Sequence, residues 1–169
     1  MRKLFFFLWL LLLAGCDNQA ILYTPYHSVP LGITFEYPES WALAADGIEV
    51  NVATDANLFA MDTADFPGGA VANFSIFPPE GVLDNLETTM SQLTDLLVAN
   101  GDAEEIGVVQ KMVVDDHEAV QTRVTLAEDT FLRVLMVQGE EQIILLVVIY
   151  DEGSGELVEY MVNSIVFTE

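Results

Sequence analysis

The densest group of chemically versatile side chains is Asp115-Asp116-His117-Glu118, an imidazole set among three carboxylates. These residue types suit a divalent cation, or a histidine base beside an acid. Their spacing argues against both. Alternate residues of an extended segment point to opposite faces, so four adjacent side chains do not converge on one ion. Zinc sites, moreover, gather ligands from separated elements. The expectation is a solvated turn. Asp55, Asp62 and Asp65 lie among small residues without the glycine and regular acidic spacing of a calcium hand. His27 is isolated in a polar, proline-containing stretch, and Trp41 follows a strand pattern directly. An aromatic there is read as packing over the sheet edge in preference to anchoring a partner. The chain has no Gly-x-Ser-x-Gly elbow, phosphate-cradling glycine loop or zinc-protease helix. Carboxylate pairs carry no information where 27 residues are acidic. No catalytic residue, metal-ligand set or cofactor is assigned, and the chain is read as not an enzyme.

The elements that must position these residues are legible from hydrophobic period. Ile33, Phe35 and Tyr37 alternate with polar residues and stop at Pro38, which predicts a first strand. Ile48, Val50 and Val52 predict a second after the Asp46-Gly47 turn, and Ala72, Phe74 and Ile76 a third. Residues 55 to 69 lack periodicity and read as a loop. Leu83, Leu86, Met90, Leu93 and Leu97 repeat at three and four, one stripe of a helix that Asp84 and Glu87 would cap and Asn100-Gly101 would stop. The segments 108 to 114 and 120 to 125 read as a hairpin about the acidic cluster, followed by a strand over 131 to 137. Ile143 to Tyr150 is apolar without alternation, which predicts a central strand covered on both faces. Ser154 would cap a closing helix with Leu157, Tyr160, Met161 and Ile165 on one face.

The N-terminus addresses a different question, that of location. Arg2 and Lys3 precede an apolar run from Leu4 to Ala14, the layout of an export signal. Eleven helical residues reach roughly 17 Å, well short of a hydrocarbon core of about 30 Å. Leu13-Ala14-Gly15-Cys16 resembles the lipobox of bacterial lipoproteins. That resemblance implies cleavage before Cys16, diacylglycerylation of its thiol and acylation, palmitate among the chains, of the new amino terminus. Two or more acyl chains hold a protein durably at a membrane. Asp17 similarly resembles an inner-membrane retention signal of enteric-type bacteria. Asp17 to Gly32, with Pro25 and Pro30, reads as a tether.

Without Arg2 and Lys3 the chain keeps only Lys111, Arg123 and Arg133 against 27 acids, a formal charge of −24. Phosphate backbones would be repelled, which excludes nucleic acid as a partner. The acids are spread along the chain and read as a solvated surface, with weak divalent-cation binding as the alternative. Lipidation of the single cysteine would leave no thiol for a disulfide.

Gly32-Ile33-Thr34-Phe35-Glu36-Tyr37-Pro38-Glu39-Ser40-Trp41, with a helix after three strands, a meander of long strands and a closing helix, resembles the PsbP-like family of photosystem II extrinsic proteins. The resemblance covers roughly residues 31 to 169. It implies an α+β fold, an α/β/α sandwich whose mainly antiparallel central sheet has about six or seven strands. It further implies non-catalytic binding of protein surfaces, since the same fold serves a Ran-binding import factor in eukaryotes. No photosystem-binding or metal-binding motif is matched. The expected organisation is a signal peptide over 1–15, a lipidated Cys16 and tether over 16–31, and one domain over 32–169. The expected role is a lipid-anchored binding module on the extracytoplasmic face of the cell membrane, engaging a membrane-associated protein. A small-ligand or divalent-cation binding lipoprotein is the alternative. No partner-binding residue is assigned.

Overall fold

The computed structural model describes residues 20–61, 65–78, 85–99, 103–127 and 129–168. The signal stretch 1–15, Cys16, Asp17, Asp62, Leu83, Asp84 and the Asn100-Gly101 stop lie outside them. The described strands are β1 (Tyr23–Ser28), β2 (Ile33–Pro38), β3 (Ala42–Asp46), β4 (Glu49–Ala53) and β5 (Ala70–Phe77). After helix α1 (Leu86–Ala99) come β6 (Glu105–Ile106), β7 (Gln110–Val114), β8 (His117–Ala127), β9 (Thr130–Gln138) and β10 (Ile143–Asp151). Helix α2 (Gly155–Asn163) and β11 (Val166–Phe167) close the chain. Among the described residues no helix is long and apolar enough to cross a membrane.

An eight-stranded antiparallel sheet, ordered β3-β4-β5-β10-β9-β8-β6 with β7 also on β8, forms the middle layer. β1, β2 and β11 make a second, three-stranded sheet. The alternating Ile33–Tyr37 segment is therefore a strand as expected, but it belongs to the small sheet. Its partner β1 lies in the stretch expected to be a tether; Pro25 and the absence of an apolar period hide it in the sequence. The proline is tolerated because β1 is an edge strand, where one ladder donor is dispensable. The ordered chain thus takes residues 23–28 out of the expected tether.

The small sheet and α2 cover one face of the large sheet, and α1 covers the other. On the first face Phe35 stacks on Phe74 at 4.2 Å, and Val158, Met161 and Val162 of α2 pack against Ile144, Leu146 and Val148 of β10. On the second, Leu86 and Met90 of α1 meet Val120, Val124, Leu132, Val134 and Met136. Because these partners lie on β8 and β9, cover over β10 is complete on one face and partial on the other. Ile143 is buried on the α1 side, but Leu145, Val147 and Ile149 are only half-buried. The strand buried without interruption is β9, from Leu132 to Val137.

Two helix starts differ from expectation. Asn85 caps α1, its Oδ1 accepting from the Thr88 amide at 2.8 Å, which satisfies one of the unpaired N–H groups of the first turn. At α2, Ser154 makes no side-chain cap bond. Asp151 serves instead, Oδ1 accepting from the Ser154 amide at 2.8 Å and Oδ2 from Gly69 at 2.7 Å. Partial burial pushes the Asp151 carboxyl up, but the hydrogen bonds from Gly69 and Ser154 outweigh it and hold the group below the usual carboxylate range. The buried stripe of α2 is Val158, Met161 and Val162, continued by Ile165, with Leu157 half-buried. Tyr160 instead turns outward, its ring stacked on Tyr23 at 3.9 Å and its hydroxyl donating to Glu36 at 2.5 Å.

Candidate functional site

Asp115 and Asp116 form the two-residue turn between β7 and β8, with φ of 47° and 66°. Positive φ at both central positions is the type I′ geometry that matches strand twist, and aspartate tolerates it better than most residues. The solvated-turn reading holds for Asp116, while Asp115 and His117 have internal work. The Asp115 carboxylate accepts from the Phe167 amide at 2.7 Å, and His117 stacks on the Phe167 ring at 4.0 Å. His117 Nδ1 also lies 2.7 Å from the Asp115 carbonyl oxygen. The cluster therefore clasps the C-terminal strand. It borders an open depression of about 610 Å³ together with Glu140 and Glu141.

Trp41 is buried in the main core, as the packing reading expected, and Asp55 caps a single 3-10 turn, Ala56–Ala60, within the expected loop.

A different group of polar residues meets at the other end of β8. Ile106 pairs with Val124, and Gln110 with Gln121, so four residue steps on the edge strand face three on β8. The extra residue makes a bulge over 107–109, a device that reshapes a strand locally and opens its edge. Gly107 holds it tightly. Its amide donates to the Arg123 carbonyl at 2.7 Å, and its carbonyl accepts from the Thr122 hydroxyl at 3.0 Å. A Cβ on Gly107 would meet the Arg123 carbonyl oxygen at 2.7 Å, so glycine is required for this close approach.

The bulge leaves a cleft of about 280 Å³ whose wall includes Gln121, Arg123, Arg133, Tyr150 and Glu159. Arg123 on β8 and Arg133 on β9 are direct register partners. Opposed antiparallel side chains start about 4.5 to 5.5 Å apart at Cβ, and like charges placed so are destabilising. Two of the three cations that follow the signal stretch have thus been set side by side in a strongly acidic chain.

Their surroundings differ. Arg133 is 8% exposed and bound on both sides, to the Glu159 carboxylate through Nη1 and to Gln121 Oε1 through Nε at 3.0 Å and Nη2 at 2.5 Å. Arg123 lies with its guanidinium carbon 3.7 Å from the centre of the Phe131 ring and 5.7 Å from that of Tyr150. Lys111 pairs with Glu87 at 2.8 Å. Among the described cations, Arg123 is the one with no carboxylate within salt-bridge distance. Aromatic faces orient a guanidinium while leaving its N–H edge free for bidentate recognition of an anion.

Neither arginine stands out from the alternating strands in the sequence. A tight turn between Ala127 and Thr130 would set Arg123 opposite Val134; the irregularity between Thr125 and Ala127 shifts the register by one residue and brings Arg133 opposite instead, which nothing in the sequence signals.

No protein-family model matches the chain, and no curated protein matches it in sequence. Solved structures do. The solution structure of cyanobacterial PsbP (CyanoP) from Synechocystis superposes with a TM-score of 0.56 at 15% identity, over 92% of this chain and 98% of that one. The fold is PsbP-like. The Ran-binding protein Mog1p of Saccharomyces cerevisiae gives a TM-score of 0.55 at 8% identity, over 89% of this chain and 97% of its own. At these identities what is shared is the PsbP-like architecture, so the arginine cleft has to be judged on its own chemistry.

Proposed function

We propose that this chain is a lipid-anchored, non-catalytic binding module on the extracytoplasmic face of the cell membrane, and that it engages a membrane-associated protein. The observation that carries the reading is the paired arginines at an open cleft. A guanidinium stays charged at any physiological pH and does not serve as a base, so the site's principal groups suit recognition rather than proton transfer. The apolar run from Leu4 to Ala14 with Cys16 closely following supports the anchor, and the PsbP-like fold, shared with a protein named for Ran binding, supports the role of interaction.

Two measurements test it. Metabolic labelling with a palmitate analogue is expected to mark the wild-type protein at Cys16 and to fail on Cys16→Ser; label on the variant would refute the anchor. A photo-crosslinking residue is then placed at Val108, 81% exposed on the cleft's bulge, or at Ile48, 53% exposed beside the far edge of the sheet. A discrete membrane-protein adduct is expected from position 108 only. Equal adducts from both positions, or none from either, would remove the basis for a partner at this cleft.

A further inference from the structure

We infer that the Arg123–Arg133 cleft is a carboxylate-binding site, selective for a monoanion over a phosphate dianion, with Arg123 supplying the ligand's principal contact. The inference deepens the binding role proposed above and rests on it for biological meaning, though not for its chemistry. Four observations converge. The register makes Arg123 and Arg133 direct cross-strand partners, two like charges on one face of the sheet, an arrangement that costs stability unless anions relieve it, and Glu159 serves only Arg133. Arg133 already commits Nε, one Nη1 hydrogen and one Nη2 hydrogen to Gln121 and Glu159, so it forms a fixed back wall. Arg123 is oriented by Phe131 and, among the described residues, has no carboxylate within salt-bridge distance. The volume, about 280 Å³, lies just below the usual range for ligand pockets, which suits a carboxylate with a short body.

Charge selects among anions. Among the described lining residues, Arg123, Arg133 and Glu159 sum to one net positive charge. A monocarboxylate neutralises that charge. A phosphate dianion would overshoot it, within the repulsive field of a strongly acidic protein. The planar guanidinium fork matches a carboxylate with two parallel hydrogen bonds, and Tyr150 offers an aromatic surface beside it.

The test uses the purified full chain in nonionic detergent, observing the arginine Nε–Hε resonances by NMR. Sodium N-acetylglycine stands for a free terminal carboxylate and N-acetylglutamate amide for an acidic side chain; sodium phosphate and sodium chloride are added at matched ionic strength. A saturating shift of Arg123 is expected with a carboxylate, at a dissociation constant on the order of millimolar. The tighter of the two carboxylates identifies the source. Arg123→Gln should weaken binding about tenfold or more while leaving the melting temperature essentially unchanged. Arg123→Lys should restore charge but only part of the affinity, because the fork is lost. Shifts that merely track ionic strength, tighter binding of phosphate, or undiminished binding by Arg123→Gln would each overturn the inference. None of these results depends on the membrane partner. A failed crosslink with a working carboxylate site, or the reverse, tells the two proposals apart.

Discussion

The two ends of β8 carry the molecule's most suggestive polar groups and use them in opposite ways. At the hairpin end, Asp115 and His117 are spent on the chain itself, one bonding the Phe167 amide and the other stacking on the Phe167 ring. At the cleft end, Arg133 is satisfied internally while Arg123 is oriented by aromatic rings and has no acidic partner among the described residues. Density of reactive residue types along the sequence therefore pointed to a clasp. The group still available for a ligand comes from residues ten apart in sequence, brought together only by strand register.

Both ends hang from the same platform, and disturbing it produces the largest effect. Leu146, 1% exposed, points into the main core beneath α2, so Leu146→Ala should cost about 2 to 5 kcal/mol in urea unfolding. Its neighbour Leu145 points to the α1 side, where cover is partial, and Leu145→Ala should cost about half as much or less. The platform is then asymmetric, firm beneath the cleft and looser behind it. Equal losses would show that the α1 face excludes water as well as the other does, and would remove that asymmetry.

A smaller effect isolates the clasp. Asp115→Gly keeps a residue at ease with φ of 47° and deletes only the carboxylate, leaving the Phe167 amide without its acceptor. The expected loss is about 1 kcal/mol, with faster amide hydrogen exchange at Phe167. Asp116→Gly removes a charge from the same turn without removing a bond to β11, and should change stability by less than about 0.5 kcal/mol. Similar responses from both variants would mean that the turn's conformation matters and the clasp does not.

The contrast between the two ends marks where the sequence could be read. Period-2 alternation located β2, β4, β5 and β8 because each has one face on a core. The uninterrupted apolar run correctly marked β10 as central, yet it overstated the cover on the Leu145 side, since a residue's hydrophobicity does not reveal which neighbour lies above it. β1 was missed because Pro25 and Pro30 mimic a linker, while its pairing with β2 is a tertiary fact. The apolar ring of Tyr160 suggests the buried stripe of α2, but its hydroxyl reaches Glu36 and its ring reaches Tyr23, both outside the core. At the site, the Asp115–Glu118 turn was legible because turn chemistry is local. The arginine pair was not, because each residue alone is an ordinary strand cation.

The smallest expected effect is the most discriminating. If Arg123 is held ready for a ligand, the unliganded domain should hardly notice its loss. Arg123→Gln removes a cation–π contact worth about 0.5 to 1 kcal/mol at an exposed site. The same change relieves the opposition to Arg133, a cross-strand interaction of about 0.2 to 1 kcal/mol with the contrary sign. The long-range attraction of Arg123 to the surrounding acids is also lost, but at physiological salt it is screened beyond roughly 8 Å. These contributions nearly cancel, so the change in unfolding free energy should lie within about 0.5 kcal/mol of zero at physiological salt, and the balance should shift toward the wild type as salt is lowered, because the attraction of Arg123 to the surrounding acids is then unscreened while the short-range opposition to Arg133 changes little. Urea titrations of both proteins at low and moderate sodium chloride decide it. A loss above about 1.5 kcal/mol would make Arg123 a structural residue like Asp115 and His117, and the two ends of β8 would no longer differ in kind.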